Sequence, residues 1–379
     1  MKEIRAAIIG TGIIAHQHVK GYADCEGVNI VAAADINEAK LNAFCDEHGI
    51  PNRYLSFREM IARDDIDVVS VCLHNNLHAP VAIEVMRAGK HCYCEKPVAG
   101  SYHDAAKMLA VSEETGRMLH VQLSLIYTSA AHAAKKLIAQ GLLGEVYHAR
   151  SYGYRRRGRP FVDGYAEKEF DSKYWAGGGA LYDMGVYHIS RLLYLLGVPK
   201  LKSVSGQVYQ ELDMHEGRRA EGGFDVEELG VGFAKYENNL TMDIIEAWAV
   251  HAQEFPPSEL YGAKGGLSIG DEVVYLSEMA GYPAKTTLDL RAETYRTHKI
   301  DPSLAMYDAT IAHMVAALRG ECALIDTKDL ALQTLLLSEG IYQSGKLGRE
   351  VTAEEIAAMS KSSFITQQDV GFDVFHYSI

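Results

Sequence analysis

Residues 6–15 read AAIIGTGIIA, a short apolar run that enters a glycine turn and continues into a helical pattern. Gly10 permits the tight turn, Gly12 lets backbone N–H groups approach a ligand, and Ala15 keeps the following helix close to the strand. The N-terminus of that helix faces the turn and favours a bound phosphate. The stretch therefore predicts the strand–turn–helix unit of a dinucleotide site. Its expected contacts are Gly10, Thr11, Gly12, Ile13 and Ile14.

The next predicted strand, 29–34, ends directly before Asp35. A carboxylate at that distance from the glycine turn is placed to accept hydrogen bonds from the adenosine ribose. It also repels the 2′-phosphate of NADP, and the residues that follow, Ile36 and Asn37, include no arginine to receive that phosphate. The sequence therefore predicts NAD as the cofactor.

The first third of the chain alternates short strands with helices, which predicts right-handed crossovers and a doubly wound parallel sheet. The predicted strands are 4–9, 29–34, 67–73, 91–94 and 118–122. The predicted helices are 13–24, 37–48, 56–62, 78–89 and 101–115. We therefore place a Rossmann dinucleotide-binding domain at residues 1–124.

Longer strands separated by turn clusters follow, and they predict a mostly antiparallel open sheet with a few helices. The predicted strands are 145–154, 201–210, 229–237, 240–251 and 258–270. The predicted helices are 129–141, 180–196, 303–319 and 328–345. The expected fold class is α/β plus α+β, with residues 125–379 forming a second domain for substrate binding and oligomerisation. Its aromatic tail, 360–379, is expected to pack rather than to be disordered.

A net charge of −13 over 379 residues argues against nucleic acid or an anionic membrane as the main partner. No apolar run reaches the length that a bilayer requires and no N-terminal leader is visible, so we expect a cytoplasmic protein. The six cysteines fit no disulfide framework or zinc spacing. His16 and His18 resemble a ligand pair but lie in the helix of the glycine turn, so no metal site is predicted.

Several further motifs accompany the glycine turn. They are NNLH at 75–78, GKH at 89–91, CEKP at 94–97, GGGALYDMG at 177–185 and YGAKGG at 261–266. Together they resemble the glucose–fructose oxidoreductase, inositol dehydrogenase and rhizopine-catabolism (Gfo/Idh/MocA) family of oxidoreductases over essentially the whole chain. The resemblance implies a nicotinamide cofactor, a small sugar, glycoside or cyclitol as substrate, and a homodimer or homotetramer.

Glu95-Lys96-Pro97 follows a predicted strand and so lies at the carboxyl edge of the sheet, where open α/β folds bind ligands. The Lys96 ammonium can there hydrogen-bond a substrate hydroxyl and stabilise the negative charge that forms as the proton leaves. The alternative is a solvated surface lysine. The resemblance implies that Lys96 is catalytic and that Glu95 lies near the nicotinamide. It also implies cofactor contacts from Leu73, His74, Asn75, His78 and Gln122.

The helix predicted from residue 180 carries Asp183 and Tyr187 four residues apart, on one face. His188 lies about 140° from Asp183 at roughly 100° per residue, so it points elsewhere unless the helix is irregular. Many family members have a histidine four residues after the aspartate, and the resemblance implies that Tyr187 takes that place. Tyrosine needs a cation such as Lys96 to act as a base near neutral pH, whereas histidine does not. We favour Tyr187 as the general base and keep His188 as the alternative, with Asp183 orienting the substrate or the base.

A basic cluster follows the first strand of the second domain. Arg155 and Arg156 are candidates to reach a sugar, and the aromatic residues Tyr152, Tyr174 and Trp175 are candidates to stack on its ring. The alternatives are a solvated strand end or a subunit contact for the arginines, and core packing for the aromatic residues.

The sequence thus predicts an NAD-dependent oxidoreductase that transfers hydride between nicotinamide and a secondary alcohol of a sugar, glycoside or cyclitol. Oxidation of a glycoside at ring carbon C3 is the favoured subclass. Three other functions stay open. They are a carbonyl reductase resembling dihydrodiol dehydrogenase, a lyase or hydrolase that oxidises its sugar transiently, and a non-enzymatic NAD-binding sensor.

Overall fold

The computed structural model describes residues 3–291 and 302–365. The chain divides into two compact units. The first unit comprises the chain up to Gln122, Ala309–Asp329 and the chain from Lys361. The second unit comprises Leu123–Asp308 and Leu330–Ser360. Most of the tail for which packing is predicted, 360–379, lies outside the described residues.

The helices and strands have the following bounds. The α-helices are α1 Ile13–Ala23, α2 Glu38–His48, α3 Phe57–Ile61, α4 Asn75–Arg87, α5 Tyr102–Thr115, α6 Ser129–Ala139, α7 Lys173–Ala176, α8 Ala180–Asp183, α9 Gly185–Leu195, α10 Glu216–Gly222, α11 Thr310–Arg319, α12 Thr327–Leu347 and α13 Ala353–Met359. Short 3-10 helices span Ser124–Tyr127, Lys168–Asp171 and Pro302–Tyr307. The strands are β1 Ile4–Ile9, β2 Val28–Ala34, β3 Asn52–Tyr54, β4 Val68–Val71, β5 His91–Cys94, β6 Leu119–Val121, β7 Val146–Tyr154, β8 Leu201–Tyr209, β9 Leu229–Tyr236, β10 Thr241–Ala247, β11 Ser258–Gly262, β12 Gly266–Ile269, β13 Val273–Met279, β14 Tyr282–Thr287 and β15 Val351–Thr352.

The first unit is built on a six-stranded parallel sheet of order β3-β2-β1-β4-β5-β6, which confirms the predicted doubly wound fold. Strand β4 is buried at every position, as expected for a parallel strand covered on both faces. The strand order reverses between β1 and β4, so the loops after these strands open a crevice at the carboxyl edge. The loops that follow β5 and β6 bring Glu95 and Gln122 to the same edge.

Helix α11 corrects the predicted domain division, which assigned every residue after 124 to the second domain. Ile311, Met314 and Val315 share one face of this helix at spacings of three and four residues. They belong to a buried cluster with apolar residues of β1, α1 and β4 in the first unit. Gly21 in α1 permits the close approach, because a Cβ at that position would lie 2.6 Å from Ile311 Cδ1.

The second unit is built on a nine-stranded sheet of order β14-β13-β12-β11-β7-β10-β9-β8-β15. Strands β7 and β10 are parallel and the other neighbouring pairs are antiparallel, which confirms the predicted mostly antiparallel sheet. The single strand predicted at 258–270 is wrong. Gly262 donates its N–H to Gly265 O at 2.9 Å and closes a turn there, so the segment forms the hairpin β11–β12.

None of the helices in the described ranges is both long and apolar enough to cross a membrane. All six cysteines are free thiols. Burial raises the pKa of Cys72, Cys92 and Cys94 well above the usual value, so these three side chains are neutral.

Candidate active site

The glycine turn after β1 forms a cradle that is open at Gly12, at the start of helix α1. Gly10 has a φ of +86° and a Cβ there would lie 2.3 Å from Cys72 O, so only glycine fits. Gly12 begins helix α1 without a side-chain cap, and nothing lies within 4 Å of the place that its Cβ would occupy. The first turn of α1 has no acidic residue, and Ile13 is 78% exposed beside the cradle. This arrangement fits a bound diphosphate, since the N–H groups in the first turn of a helix and the helix dipole both favour an anion.

Asp35 supports the turn from the end of β2. Its Oδ2 accepts hydrogen bonds from Thr11 N at 2.8 Å and from Thr11 Oγ1 at 2.9 Å. Its Oδ1 accepts one from Asn37 N at 2.8 Å. The carboxylate is therefore held beside the turn in the position from which the ribose contact is predicted, and it fixes the turn as well.

His78 connects two of the loops at the same edge of the sheet. It is fully buried, with Nδ1 2.7 Å from Pro97 O and Nε2 2.9 Å from Leu73 O. Both ring nitrogens are therefore engaged with the backbone, which corrects the expectation that His78 contacts the cofactor. His74 and Asn75, which follow Leu73 at the start of α4, remain partly exposed and keep that candidacy.

Glu95 is a buried carboxylate next to the candidate catalytic lysine. Only 5% of its surface is exposed, while Lys96 is half-buried. Its Oε1 lies 2.8 Å from His18 Nε2, and its Oε2 accepts a hydrogen bond from Lys96 N at 3.1 Å. Burial by itself would raise the pKa of Glu95, but the hydrogen bond from His18 and the charge of Lys96 hold it below its usual value. Glu95 is thus an anion at neutral pH.

Gln122 stands on the neighbouring strand end, where its N–H donates to Cys94 O at 3.0 Å. Its Oε1 is buried and has no hydrogen-bond partner among the described residues. A buried acceptor of this kind calls for a donor, and the carboxamide N–H of a nicotinamide is one. The first unit therefore fits NAD through the glycine turn, Asp35, the partly exposed loop after β4 and Gln122.

In the second unit, three side chains of the segment 180–190 retain exposure while the rest of that segment is buried. They are Asp183, Tyr187 and His188. The predicted helix 180–196 is wrong in one respect, because it is interrupted at Met184 between α8 and α9. The angle of about 140° expected between Asp183 and His188 for a continuous helix therefore does not apply.

Glu227 holds the glycine-rich entry to α8 in place. Its carboxylate accepts hydrogen bonds from Gly179 N at 2.9 Å and from Leu181 N at 2.8 Å. A Cβ at Gly179 would lie 2.0 Å from Glu227 O, so glycine is required for this approach.

His188 is paired with a fully buried carboxylate. Its Nδ1 lies 2.9 Å from Glu246 Oε2, and Ser151 Oγ lies 3.3 Å from Glu246 Oε1. Gly153, which is opposite Glu246 in the β7–β10 pairing, makes room for the pair. A Cβ there would lie 2.2 Å from Glu246 Oε2 and 2.4 Å from His188 Cε1. In this arrangement Nδ1–H donates to the carboxylate, which leaves Nε2 as a proton acceptor.

Asp183 accepts a hydrogen bond from Trp248 Nε1 at 2.9 Å. Neither Trp248 nor Glu246 is among the residues predicted from the sequence. Glu246 carries a recognisable signal, because Met242 and Ile244 precede it at a spacing of two and all three are fully buried. An acidic side chain that points to the core face of a strand needs a buried hydrogen-bond partner. For Glu246 that partner is His188.

The aromatic residues predicted to bind substrate have different surroundings. Tyr152 bonds to Asp243 on the face of the sheet opposite Gly153 and Glu246, because neighbouring strand residues point to opposite faces. Tyr152, a candidate to stack on the sugar ring, therefore lies on the face of the sheet away from the His188–Glu246 pair. Two others keep their candidacy. Tyr174 is 42% exposed and Trp175 is half-buried, with their rings in edge contact at 5.0 Å.

The two candidate arginines of the basic cluster differ in their surroundings. Arg155 Nη1 donates to Tyr165 Oη at 2.8 Å, and burial, with the charge of Asp183 adding to it, raises the pKa of Tyr165 to about 12. Arg155 is thus connected to the surroundings of Asp183. Arg156 instead donates to Ala252 O at 3.1 Å on the exposed surface, where its charged group lies over the Phe255 ring.

Among the described residues, His16, Glu47 and His48 form a group whose ligand atoms lie within 4.8 Å of one another and could hold a metal ion. His16 is therefore not paired with His18, which is buried against Glu95. His48 Nε2 lies 2.8 Å from His16 Nδ1. A hydrogen bond between the two imidazoles accounts for this arrangement without an ion.

A dinucleotide cradle at the carboxyl edge of a Rossmann sheet, with a lysine beside a buried carboxylate, defines the class as a nicotinamide-dependent oxidoreductase. Residues 4–123 match the oxidoreductase family with an NAD-binding Rossmann fold, and residues 131–268 match the GFO/IDH/MocA C-terminal domain. The chain belongs to the GFO/IDH/MocA family, which confirms the resemblance drawn from its motifs and the predicted NAD cofactor.

Two relatives and one solved structure are informative. D-glucoside 3-dehydrogenase of Escherichia coli (strain K12) is 26% identical over 280 residues, which cover 72% of this chain and 78% of the relative. 1,5-anhydro-D-fructose reductase of Ensifer adhaerens is 27% identical over 316 residues, which cover 83% and 88%. The structure of levoglucosan dehydrogenase with NADH and levoglucosan superimposes with a TM-score of 0.78 at 20% identity, covering 93% of this chain and all of the other. That likeness shows a shared fold.

Proposed function

We propose that this protein is an NAD-dependent dehydrogenase that oxidises a secondary alcohol of a sugar or glycoside, with C3 of a pyranose ring as the favoured position. The observation that carries the proposal is the His188–Glu246 pair, in which a buried carboxylate orients a histidine as a proton acceptor. His188 and Asp183 are both partly exposed in a segment that is otherwise mostly buried. Oxidation of an alcohol by hydride transfer needs such an acceptor for the hydroxyl proton. The names of the two relatives, a glucoside dehydrogenase and an anhydrosugar reductase, support the substrate class.

Bound NAD⁺ supplies the acceptor for the hydride that leaves the carbinol carbon. The Lys96 ammonium donates a hydrogen bond to the hydroxyl oxygen and stabilises the negative charge that develops there. His188 Nε2 accepts the hydroxyl proton, and the C–O bond becomes the carbonyl of a keto sugar. The Glu246 carboxylate then stabilises the imidazolium, as the acid of a catalytic triad does. Asp183 accepts a hydrogen bond from a second hydroxyl and orients the ring.

His188 is the better candidate for the base on the geometry of the second unit. Its buried acid partner sets the tautomer and attracts the proton that it receives, whereas a tyrosine must first lose a proton near pH 10. The sequence-based preference for Tyr187 stays a prediction that the same experiment tests. We assign to Tyr187 a hydrogen bond with the substrate, since it is partly exposed in the same segment as Asp183 and His188.

Turnover with a panel of substrates tests the proposal. The purified protein is mixed with NAD⁺ and with free hexoses, methyl glycosides, anhydrosugars or cyclitols, and reduced nicotinamide and keto product are both measured. We expect them to accumulate in equal amounts with at least one sugar or glycoside. Consumption of the glycoside without net NADH would support transient oxidation instead, and binding of NAD⁺ without turnover of any substrate would support a sensor.

A matched pair of variants assigns the base. His188→Gln should lower kcat by about 10²–10⁴-fold, the usual contribution of a general base, with NAD⁺ affinity nearly unchanged. Tyr187→Phe should raise KM for the sugar and leave kcat within about tenfold of the wild type, as expected for lost ground-state binding. The opposite result, an active His188→Gln enzyme and an inactive Tyr187→Phe enzyme, would return the role to Tyr187.

A further inference from the structure

Three polar side chains that take no part in the proposed reaction form a buried, hydrogen-bonded group in the first unit. His18 lies on α1, Cys72 follows β4 and Glu95 follows β5. Their exposed fractions are 2%, 6% and 5%. Cys72 Sγ lies 3.3 Å from His18 Nδ1, and His18 Nε2 lies 2.8 Å from Glu95 Oε1. Each polar atom of the imidazole thus has one partner.

With a neutral His18 ring, this hydrogen-bonded group has one consistent arrangement of protons. Cys72 is a neutral thiol because burial raises its pKa, so its S–H donates to His18 Nδ1. The other ring nitrogen then carries the proton and donates to Glu95 Oε1. The backbone N–H of Lys96 donates to the second oxygen of Glu95, Oε2, at 3.1 Å. Both oxygens of Glu95 are therefore held, and the carboxylate has a single orientation.

Stability alone does not account for such a group. A buried charge costs desolvation free energy, and well-packed apolar residues of similar volume often stabilise a fold as well or better. What these hydrogen bonds add is a fixed orientation, because each one holds one side-chain atom in place relative to the next. The last member of the group is the Glu95 carboxylate, and the next residue in the chain is Lys96. We assign to Lys96 the stabilisation of the substrate oxygen.

We infer that His18 is a positioning residue for the reaction: through its hydrogen bond to Glu95 it holds the Glu95–Lys96 loop in the arrangement that Lys96 requires. This inference rests on the proposed function for its catalytic consequence, although the position of Lys96 can be measured without any sugar. His18 belongs to the same helix, α1, whose N-terminus lines the cradle for the diphosphate. The cradle and the loop of the catalytic lysine are thereby parts of one hydrogen-bonded unit.

Two substitutions of His18 separate positioning from packing. The amide nitrogen of glutamine takes nearly the place of Nε2, so His18→Gln keeps the donor to Glu95. Asparagine is one carbon shorter and its amide nitrogen takes the place of Nδ1, so His18→Asn loses that donor. Tyr22→Phe is the matched control, because it removes a buried hydrogen bond of 2.9 Å from the same helix to Ser70 and leaves Glu95 untouched.

The first measurement is the rate at which a small amine-reactive reagent labels Lys96 in the full-length protein. The extent of labelling is read by mass spectrometry. We expect His18→Asn to label about threefold to tenfold faster, because a freed carboxylate no longer keeps its neighbour charged and in place. His18→Gln and Tyr22→Phe should label at the wild-type rate. Wild-type labelling in His18→Asn would overturn the assignment, whatever the activity of that variant.

The second measurement is steady-state turnover with the best sugar. His18→Asn should lower kcat by about tenfold to a hundredfold with little change in NAD⁺ affinity, as expected for a displaced catalytic group. His18→Gln should recover most of that loss. Equal losses in His18→Asn, His18→Gln and Tyr22→Phe would overturn the inference in favour of a general effect on stability. If wild-type protein oxidises no sugar while the labelling result holds, the proposed function fails and the positioning of Lys96 stands.

Discussion

Gly153→Ala is a sharp test of the His188–Glu246 pair, because one methyl group would enter the space that the pair occupies. The added Cβ would lie 2.2 Å from Glu246 Oε2 and 2.4 Å from His188 Cε1, whereas ordinary contacts begin at 3.4 Å. Each group must therefore move by about 1 Å, a displacement that can cost on the order of 10²-fold in rate. That factor is about 2.7 kcal/mol of activation free energy. Overpacking should also lower stability by about 1–3 kcal/mol.

The assay compares kcat, NAD⁺ affinity and the free energy of unfolding in Gly153→Ala and in a control, Gly232→Ala. A Cβ at Gly232 would lie 2.5 Å from Ile341 Cδ1 in the same unit, so the control is overpacked without touching His188. We expect both variants to lose stability and only Gly153→Ala to lose turnover. Wild-type kcat in Gly153→Ala, or an equal loss in Gly232→Ala, would refute the reasoning.

The other predictions concern cofactor choice, pH dependence and assembly. Protein stripped of nucleotide should bind NAD⁺ more tightly than NADP⁺ in calorimetry, because Asp35 repels a 2′-phosphate; tighter binding of NADP⁺ would contradict this. Burial and then the charge of Asp163 raise the pKa of Asp171 from 3.8 to about 7. The folded chain therefore keeps a proton that the unfolded chain has already released, and this group lowers stability as pH rises from 3.8 towards 7. The gain in Tm from Asp171→Asn should accordingly grow over that interval and level off above it, and a gain that is equal at every pH would contradict the account. Light scattering at micromolar concentration should show a homodimer or homotetramer, in line with an apolar side chain, Phe233 on β9, that is 42% exposed. A monomer would disprove the homo-oligomer that the resemblance implies.

The dinucleotide site was predictable because the residues that form it lie close together in the sequence. Gly10, Gly12 and Ala15 specify a turn within six residues, and a turn depends on local backbone freedom more than on distant packing. The loops after β4 and β5 were predictable for a related reason, since parallel strands carry their carboxyl ends to one edge of a sheet. Together with the glycine-rich segment before Asp183, these short stretches were enough for the family.

The partners of the buried charges were not predictable in this way. Glu95 and His18 are 77 residues apart, and Glu246 and His188 are 58 apart. Which residue meets which depends on strand register, on the packing of α1 and α9, and on the interruption at Met184, all of which are long-range properties. A helical pattern likewise identified α11 as a helix but not the sheet that it covers.

Short-range backbone preferences and the burial of apolar faces therefore account for the class of fold, the dinucleotide turn and the Lys96 loop directly from the order of residues. The tertiary structure assigned α11 to the first unit, turned Tyr152 away from His188 and supplied Glu246 and His18 as partners. The physical reason is that a buried carboxylate must have a hydrogen-bond partner, and packing of the whole chain, not sequence distance, selects it.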